Sequence, residues 1–507
     1  MKHTDPNCPV IIGIGQQVWR ESDPSRTPIQ ALTQAGSLAL ADTGVGAIRS
    51  EIDCVATVRF IAETNPAIAS MFPGSPGTAL AEQLHLDSPE VLRGAIGGNS
   101  PQYLVNKLGE KLSKGEHSVV LLAGAELFNS FFRALKSGDD LSHWSDGAKS
   151  FSESLGEDRD GLNETEKRHG LYEPINTYPL FENALRHHEK RSFAEHQQRL
   201  GEICAAMSEV ARANPVAWRQ KQWSPEEIVT VSDDNRFIGY PYTKRMNAVL
   251  SVDMAAAVVM TTVAKALELG VSEDQFVYLR AGVDVNEIWN VSERRDFHSS
   301  PGLGMAVRGA LAHSALRLED IDCFDIYSCF PSAVEIACNE IGLSPLDPRG
   351  VTITGGLPFF GGPGNNYSLH AIAEMTSRLR SGPASNGLVT ANGLYLTKHS
   401  VGIYSSNPPP TTWQAFDDDS LQAAIDQGPQ VHLSPEYEGA VTVETYTVTY
   451  DRNGPKEGIV IALTDEGSRI IANTGAEQTT FEELLRIDPV GRTGYVQRVE
   501  GKSIFRF

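Results

Sequence analysis

The chain has 507 residues, of which 41% are apolar and 21% are charged, and its formal net charge is −21 at pH 7. This length exceeds what one hydrophobic core usually supports, so we expect two or three domains of an ordinary globular protein. The acidity argues against a binder of duplex nucleic acid, which needs a basic stripe, but a local basic patch could still hold a small anion.

The N-terminus, the longest apolar stretch and the cysteines indicate the cellular compartment. The N-terminus MKHTDPNCPV lacks the basic and then apolar pattern of a secretory signal peptide. The longest apolar stretch, AVLSVDMAAAVVM, is short and interrupted by Asp253, so no membrane span is expected. The six cysteines are scattered without a CxxC pair, which argues against a zinc cage and a disulfide framework. These features indicate a cytoplasmic, reduced protein with no metal site.

The first predicted elements alternate between strands and helices. PVIIGIG is a short apolar strand, and Pro28 to Leu40 has helical spacing, with Thr27 as the candidate N-cap. CVATVRF is the next strand, residues 99–114 form an amphipathic helix, and VVLLAG is apolar throughout, like a strand buried on both faces. The alternation predicts a mostly parallel sheet with helices on its faces, which is an α/β fold.

A long segment from Glu126 to Tyr240 follows. It begins with a polar and acidic stretch and continues with the helical stretches LYEPINTYPLFENALRHHEKR and FAEHQQRLGEICAAMSEVARANP. An insertion of this length inside a compact domain is usually functional rather than connective. We therefore predict a lid or a ligand-holding domain here.

The unit before the insertion recurs after it. Three pairs of landmarks recur at offsets of 269, 266 and 267 residues: Asp53 and Asp322, Gly98 and Gly364, and Gly115 and Gly382. A nearly constant offset across three different elements indicates a duplication, with two similar halves packed face to face in an α/β/α/β/α body. A site between such halves would take one loop from each copy.

The character of the sequence changes after the triple proline at Pro408–Pro410. Residues beyond it alternate clearly in VTVETYTVTY and contain turn signals at DRNGP and TDEGS, which predicts antiparallel strands. The predicted domains are the first half (1–125), the insertion (126–240), the remainder of the first half with the second half (241–407), and a small all-β domain (413–507).

Several segments of residues 8–405 resemble the thiolase superfamily. DIDCFDIYSCF is similar to the thiolase stretch that ends in Asn-Glu-Ala-Phe, or in His-Asp-Cys-Phe in the sterol-carrier-protein branch. TGGLPFFGGPG is similar to the stretch that usually reads Asn-Gly-Gly and then Gly-His-Pro, and NPVAWRQ and MNAVLSVDMAAAVVM resemble the insertion of that branch. The tail resembles OB-fold modules that accompany thiolase-like proteins, as in the thiolase-like subgroup with an added C-terminal domain. The resemblance implies a duplicated thiolase fold with a C-terminal OB-like domain.

In thiolases a cysteine at the head of a helix attacks a CoA thioester, a second cysteine transfers a proton, and a His and an Asn position oxyanion holes. The resemblance places the nucleophile position at Gly98, which has no side chain. The histidine position falls at Gly362, the late cysteine at Asn392 and the first residue of Asn-Glu-Ala-Phe at Tyr327. Ordinary thiolysis through an acyl-enzyme at residue 98 is therefore not expected.

One catalytic position of the family retains its residue: Cys329 matches the proton-transfer cysteine of the sterol-carrier branch. It is predicted to be an acid, a base or a nucleophile, and the alternative is a small buried apolar residue. A thiolate needs a base or a cation nearby, and the candidates are His399 and Lys398, with His370 a weaker one. Tyr327 could move a proton at a hydroxyl next to the thioester chain, or it could simply pack in the core.

The glycine-rich segments would let a thioester approach the backbone closely. The predicted substrate-binding residues are Gly98, Asn99, Ser100, Ser251, Gly361, Gly362 and Asn392. The phosphates of CoA call for Arg or Lys, and Arg186, Lys244 and Arg245 are the candidates, although each could be a solvated surface charge.

Three functions remain open: an acyl-CoA acyltransferase with non-standard catalytic residues, a non-catalytic protein that binds CoA or acyl-CoA, and a retro-aldolase that cleaves acyl-CoA. In each case a CoA thioester is the ligand or substrate, no separate cofactor is expected, and the protein is a monomer or a homodimer. Convergence of Cys329, Tyr327 and His399 would favour chemistry. A pocket filled by Phe359 and Phe360 would favour binding or a structural role.

Overall fold

The structure, a computed structural model, describes residues 5–145, 154–475 and 478–507. The strands in these residues are β1 (Pro9–Val18), β2 (Cys54–Thr57), β3 (Glu90–Gly94), β4 (Val119–Leu127), β5 (Ser154–Leu155), β6 (Phe237–Gly239), β7 (Tyr242–Thr243), β8 (Asp253–Thr262), β9 (Val277–Asn286), β10 (Cys323–Asp325), β11 (Asn386–Gly393), β12 (Lys398–Ser405), β13 (Gly439–Asp451), β14 (Gly454–Leu463), β15 (Arg469–Thr474), β16 (Thr493–Val499) and β17 (Lys502–Arg506). The helices are α1 (Pro28–Asp42), α2 (Ile48–Glu51), α3 (Pro76–Gln83), α4 (Ser100–Ser113), α5 (Phe128–Ser137), α6 (Glu164–Arg168), α7 (Pro174–His188), α8 (Phe193–Ala213), α9 (Pro225–Val229), α10 (Val263–Glu268), α11 (Pro301–His313), α12 (Pro331–Ile341), α13 (Tyr367–Ser381), α14 (Asp418–Asp426) and α15 (Gln478–Arg486). Among these helices none is long and apolar enough to cross a membrane.

The main sheet has ten strands in the order β10-β11-β12-β9-β1-β8-β4-β2-β3-β5. It is symmetric about the short contact between β1 and β9, which pair only at Val10–Tyr278 and Ile11–Val277. Outward from that contact, β8, β4 and β2 of the first half correspond to β12, β11 and β10 of the second. The predicted duplication and α/β class are thereby confirmed.

The expectation of a mostly parallel sheet is wrong, because β8 and β12 run antiparallel to both of their neighbours. In the second half the reason is visible in the chain: only residues 394–397 separate β11 from β12. A connection this short permits a hairpin but no crossover to a parallel strand.

Asp53 and Asp322, one of the three residue pairs that indicated the duplication, make equivalent hydrogen bonds in the two copies. Asp53 accepts hydrogen bonds from the backbone N–H groups of Ser118 (2.7 Å) and Val119 (3.2 Å), at the start of β4. Asp322 accepts the equivalent pair from Ser385 (2.7 Å) and Asn386 (3.0 Å), at the start of β11. Each carboxylate therefore ties the beginning of one strand to its parallel neighbour.

Helices α4 and α13 form the layer between the halves, because they contact each other and strands of both halves. Thr27 caps α1 as predicted, and α4 begins at Ser100, one residue later than expected. Glycines in the sheet let α4 approach it closely: a Cβ at Gly402 would lie 2.3 Å from Gln102 Nε2, and one at Gly282 would lie 2.4 Å from Asn106 Oδ1.

The C-terminal domain is a small barrel in which β13, β14, β15, β17 and β16 close on β13. This confirms the predicted OB-like β domain. Its sheet extends into β6, at the end of the insertion, and into β7, which directly follows the insertion. The segment before the barrel packs on the duplicated α/β body, since the Trp413 indole donates to the backbone oxygen of Leu279 (2.7 Å) and α14 contacts β9 and α11. At the other predicted boundary, residue 126 lies inside β4.

Candidate functional site

The two loops that correspond by the repeat meet at the centre of the molecule. The backbone N–H of Gly97, just before α4, donates to Asn365 Oδ1 at 3.2 Å. The Ser368 hydroxyl, in the first turn of α13, donates to the Gly98 carbonyl at 2.6 Å. The structure thus places one loop from each copy at one site, as the duplication predicts.

The nucleophile position has no room for a side chain. A Cβ atom built on Gly98 would lie 2.1 Å from the Tyr327 hydroxyl and 2.6 Å from the backbone oxygen of Asn392. Contacts of that length are far inside van der Waals distance, so a cysteine at residue 98 would require both neighbours to move. Tyr327, which is 7% exposed, therefore fills the space that a nucleophile would use.

Cys329 and Asn392 lie next to a residue that sequence reasoning missed, Tyr178 of α7. The Asn392 side-chain amide donates to the Tyr178 hydroxyl (2.9 Å) and lies 3.9 Å from the Cys329 sulfur. The Tyr178 ring stacks on Phe330 with centroids 4.4 Å apart. Its hydroxyl also donates to the backbone oxygen of Leu394 at 3.1 Å. Nothing in the helical pattern of the insertion distinguished Tyr178 from a packing residue.

The loop that receives Tyr178 is held in an unfavourable conformation. Leu394 and Leu396 both have left-handed backbones, with φ of 59° and 53°. Non-glycine residues rarely adopt this region, and such strain concentrates at functional sites. The Leu396 N–H donates to the same Tyr178 hydroxyl at 3.3 Å, so this one side chain helps to hold the strained turn.

Burial keeps the reactive groups of the site neutral near pH 7. Burial raises the pKa of the Cys329 thiol to about 12, and a hydrogen bond with Tyr178 offsets only part of that effect. Burial also raises the pKa of Tyr327, and the nearby Cys329 adds to the shift. A thiol and a phenol in these states can donate protons, but neither is a nucleophile.

His399 is not positioned to activate Cys329. It lies opposite Asn392 in the β11–β12 ladder, but its Nε2 atom is 3.1 Å from the Ser300 hydroxyl. Burial, followed by the charge of Arg294, lowers the pKa of His399 to about 3. The three predicted catalytic residues therefore do not form one hydrogen-bonded group.

The other basic candidates near Cys329 are also committed elsewhere. Lys398 donates to the backbone oxygens of Ile96 (3.0 Å) and Glu157 (2.6 Å). His370 lies 2.8 Å from Gln16 Oε1, and burial lowers its pKa to about 3.

Phe360 contributes to the filling of the site only indirectly. Its ring packs edge-on against Tyr367, which packs in turn against the ring of Tyr327. Phe359 is also fully buried, but it packs against Trp223 in the insertion. Phe360 therefore supports the tyrosine that fills the site, and neither phenylalanine enters it directly.

The buried carboxylate of Asp325 organises the glycine-rich segment. It accepts hydrogen bonds from the hydroxyl of Thr352, the N–H of Ile353, both the N–H and the hydroxyl of Thr354, and the hydroxyl of Tyr367, all between 2.9 and 3.1 Å. With five donors this carboxylate fixes the backbone that leads into the segment 355–364, which is itself almost entirely buried.

Only some of the predicted substrate-binding residues lie together in the structure. The Asn99 amide donates to the Ser400 hydroxyl at 3.3 Å, and Ser100 is buried in the first turn of α4. Gly361 has a φ of 116°, which requires glycine. Gly362 faces Ala248, which lies just beyond the insertion, and Ser251 is exposed.

A cavity of about 130 Å³ opens beside this group, lined by Asn99, Ser100, Tyr103, Asp284 and Lys398 among others. Sites for small organic ligands usually measure roughly 300–1,000 Å³, so this cavity suits a few water molecules. Cys329 and Tyr327 do not line it.

The three predicted phosphate-binding residues differ in burial and in their hydrogen-bond partners. Arg186 is 4% exposed, pairs with Asp488 of the C-terminal domain at 2.6 Å and lies over the Phe193 ring. It is therefore an interdomain contact. Lys244 is exposed, and the Arg245 guanidinium donates to the backbone oxygen of Glu227.

One arginine that sequence reasoning missed, Arg219, lies within electrostatic range of Arg245. The Arg219 backbone N–H donates to Phe359 in the glycine-rich segment at 3.0 Å. In the described part of the chain, no carboxylate comes within ion-pair distance of its guanidinium. Burial, followed by the like charge of Arg245, lowers its pKa.

One buried group has the composition of a metal site, because ligand atoms of Glu182, His196 and Glu335 lie within 4.8 Å of one another. However, Arg191 donates to Glu335 at 3.0 and 3.1 Å and also lies 3.4 Å from His196 Nδ1, and Arg199 donates to Glu335 at 3.2 Å. A divalent ion here would face two guanidinium charges. We therefore interpret the group as an ion cluster that joins α7, α8 and α12.

Solved structures with the same architecture identify the fold. An acetyl-CoA acetyltransferase from Syntrophomonas wolfei aligns over 80% of this chain and 100% of its own, with 12% identity and a TM-score of 0.56. The Ltp2-ChsH2(DUF35) aldolase aligns over 79% of this chain and 98% of its own, with 18% identity and a TM-score of 0.59. The fold is that of the thiolases.

A third structure and a family model identify the family. The monomeric SCP2-thiolase like protein type 1 from Mycobacterium smegmatis is 36% identical over 99% of both chains, with a TM-score of 0.84. The thiolase-like protein type 1 additional C-terminal domain matches residues 420–501. The chain belongs to the SCP2-thiolase-like protein type 1 family. No functionally curated protein is similar enough to count as a match.

Proposed function

We propose that this protein binds CoA thioesters and does not form the acyl-enzyme of a thiolase. The observation that carries the proposal is the contact between Gly98 and Tyr327. A nucleophile at residue 98 would begin with a Cβ atom 2.1 Å from the Tyr327 hydroxyl. The site is thus filled where the thiolase reaction would start, while the surrounding thiolase-like frame is retained.

Membership of a thiolase-like family supports the ligand class. The Syntrophomonas wolfei relative in fold is an acetyl-CoA acetyltransferase, so a CoA thioester is the ligand that this architecture suggests. The Mycobacterium smegmatis relative is monomeric, and we propose a cytoplasmic monomer here as well. The cavity of about 130 Å³ beside Asn99 is too small for CoA, so the proposed binding site extends beyond it.

The acyltransferase alternative is disfavoured by the state of Cys329. Its thiol has a pKa raised to about 12, and His399, the histidine predicted to assist it, is hydrogen-bonded to Ser300. Acyl transfer by Cys329 would need a base that takes the thiol proton.

A second candidate function is carbon–carbon cleavage of an acyl-CoA by a retro-aldol reaction. Tyr327 supports it, because a neutral phenol at the nucleophile position could protonate the enolate that forms when the bond breaks. The fused barrel also supports it, since the Ltp2-ChsH2(DUF35) aldolase is a neighbour in fold. The reaction also needs a base for the substrate hydroxyl, and the neutral Cys329 thiol is a poor one.

Calorimetry with CoA, acetyl-CoA and a medium-chain acyl-CoA tests the proposal, followed by intact-mass spectrometry of the acyl-CoA mixtures. We expect binding without a covalent adduct and no thiolysis. An acyl adduct that disappears in Cys329→Ala would establish the acyltransferase instead. Cleavage of a 3-hydroxyacyl-CoA that is lost in Tyr327→Phe would establish the retro-aldolase. No binding at millimolar ligand would exclude all three functions.

A further inference from the structure

Helix α7 lies between the C-terminal barrel and the candidate site and contacts them with opposite faces. With 3.6 residues per turn, Tyr178 and Glu182 share one face of the helix, whereas Leu180 and Asn183 lie on the opposite face. All four residues are buried. Tyr178 reaches the candidate site, and Glu182 reaches the ion cluster with α12. The face of Leu180 and Asn183 meets the barrel.

Strand β13 of the barrel is hydrogen-bonded to this outer face of α7. The Thr445 hydroxyl donates to the Leu180 backbone oxygen at 2.6 Å. The Asn183 side-chain amide donates to the Tyr446 backbone oxygen at 2.8 Å, so helix and strand each supply one donor. Thr445 and Asn183 are fully buried, and water therefore cannot replace either bond once it is lost. The barrel thus holds the helix within two turns of Tyr178.

The barrel and the helix also share an apolar core. Three isoleucines of the barrel belong to the buried cluster that contains Tyr178 and Leu180: Ile459, Ile461 and Ile471. Other apolar side chains of the barrel form a separate cluster in its interior. Close-packed side chains transmit a displacement because no space is left to absorb it. The contact between barrel and helix is therefore rigid as well as hydrogen-bonded.

The Tyr178 hydroxyl is the inner end of this connection. It accepts hydrogen bonds from the Asn392 amide (2.9 Å) and from the Leu396 N–H (3.3 Å), and it donates to the Leu394 backbone oxygen (3.1 Å). At 3.3 Å the bond from Leu396 is already longer than a usual N–H···O bond. A shift of α7 away from the turn at 394–397 would break this bond first.

We propose that the C-terminal barrel positions Tyr178 in the candidate site by holding α7, with Thr445 and Asn183 as the positioning residues. The barrel acts on the site through the helix, and the groups whose arrangement it determines are Tyr178, Asn392 and the strained turn. The inference goes beyond the proposed function. It concerns the ligand-free protein, so its test needs no ligand and is unaffected if CoA does not bind.

Two threonines of β13 provide a test with a matched control. The Thr445 and Thr447 side chains are both fully buried, and each donates its hydroxyl to a backbone oxygen. The acceptor of Thr447 is Tyr240 (3.0 Å), which lies outside α7 and keeps a second donor in Asn183 (3.2 Å). Thr445→Val and Thr447→Val therefore remove the same chemical group from the same strand, but only the first removes a bond to the helix.

Hydrogen exchange of the full-length, ligand-free protein, read by mass spectrometry on peptides that cover residues 394–397, measures the effect. Tyr178→Phe removes the acceptor of the Leu396 N–H and sets the reference. We expect Tyr178→Phe and Thr445→Val each to accelerate exchange of this turn by about three- to tenfold, the equivalent of one hydrogen bond. Thr447→Val should leave the rate unchanged. Thr445→Ser, which keeps the hydroxyl, should restore the rate of the wild type.

The combined variant shows whether Tyr178 is the intermediary. If the barrel acts through Tyr178, Thr445→Val should add nothing to exchange of the turn once Tyr178→Phe is present, because coupled changes are not additive. Asn183→Leu removes the second bond at similar volume and should act in the same direction as Thr445→Val. Normal exchange of the turn in both Thr445→Val and Asn183→Leu would overturn the inference.

General loosening of the barrel is the alternative explanation, and chemical denaturation separates it from positioning. Thr445→Val and Thr447→Val lose the same kind of buried bond, so their denaturation midpoints should fall by similar amounts. Faster exchange at 394–397 in Thr445→Val alone, at matched midpoints, supports positioning of Tyr178. Equal acceleration in both variants would mean that the turn responds only to overall stability, and the inference would fail.

Discussion

The two copies of the duplicated unit share a frame and differ where they face each other. Asp53 and Asp322 make the same pair of backbone hydrogen bonds. Applying their offset of 269 residues to the site gives three pairs in which the first copy is apolar and the second is polar or reactive: Ala56 and Asp325, Val58 and Tyr327, and Phe60 and Cys329.

This difference indicates a division of labour between the copies. The first-copy residues Ala56, Val58 and Phe60 are all buried in the core, whereas their counterparts hold a loop and fill a site. The first copy contributes the space at Gly98 and the second contributes the groups that occupy it. The polar and reactive groups of the site therefore come from the second copy and from Tyr178 of the insertion.

The largest expected effect comes from Asp325→Ala. The change leaves five buried donors without their acceptor, so we expect a loss of about 3–5 kcal/mol in the free energy of unfolding. Chemical denaturation measures it, with the exposed Asp419→Ala as the control. The first copy has alanine at the equivalent position, and a loss below about 1 kcal/mol would mean that the second copy does not need the carboxylate either.

A smaller effect is expected from filling the nucleophile position. Gly98→Ala should cost about 1–3 kcal/mol, because its Cβ meets the Tyr327 hydroxyl and a backbone oxygen. Tyr327→Phe removes one of these contacts, so the same substitution should cost less in that background. Gly46→Ala, where a Cβ meets nothing within 4 Å, is the matched control. Equal costs in the two backgrounds would contradict the proposed filling.

Acid should destabilise the second copy through its buried histidines. Burial lowers the pKa of both His370 and His399 to about 3, whereas an unfolded histidine titrates near 6.5. Between these values only the unfolded state binds the protons, so stability falls as the pH decreases from 6.5, by up to about 1.4 kcal/mol per pH unit and histidine. Denaturation from pH 7 to 4 measures the slope, and His399→Gln should reduce it. An unchanged slope would show that His399 is protonated in the fold.

The first copy should show the opposite dependence through Glu126 at the end of β4. Burial raises its pKa to about 8, well above the 4.5 of a free glutamate, so folding favours the protonated acid. Stability should fall as the pH rises from 4.5 to 8, by at most about 1.4 kcal/mol per pH unit. Glu126→Gln should match the wild type at pH 5 and exceed it at pH 8. Parallel curves for the two proteins would mean that Glu126 is ionised in the fold.

The sequence was sufficient for the frame because the frame is repeated and periodic. Constant offsets, caps such as Thr27 and apolar runs such as β4 follow from local rules that leave a pattern in the chain. The hairpin of β11 and β12 was not predicted, because its turn has two leucines in left-handed conformations where a glycine would have indicated a turn.

The site was predicted less completely because its residues come from segments that are far apart in the sequence. Residue matching located Gly98, Tyr327, Cys329 and Asn392, which do lie together. It could not find Tyr178, which lies 151 residues before Cys329 and enters the site only through the packing of α7. The sequence also did not show which side chains are already occupied by ion pairs. Arg186, for example, pairs with Asp488, which lies 302 residues away along the chain.

The smallest expected effect tests the equivalence of the copies directly. Asp53→Ala and Asp322→Ala each remove the acceptor of two backbone N–H groups near the surface, where water can replace it in part. We therefore expect each to cost about 1 kcal/mol. Because the two aspartates make matching contacts at 2.7 Å to the first N–H group, the two costs should agree within about 0.5 kcal/mol, and the double variant should show their sum, since distant sites are additive. A marked excess for Asp322→Ala would mean that the second copy bears strain from the site it holds, which the first copy does not share.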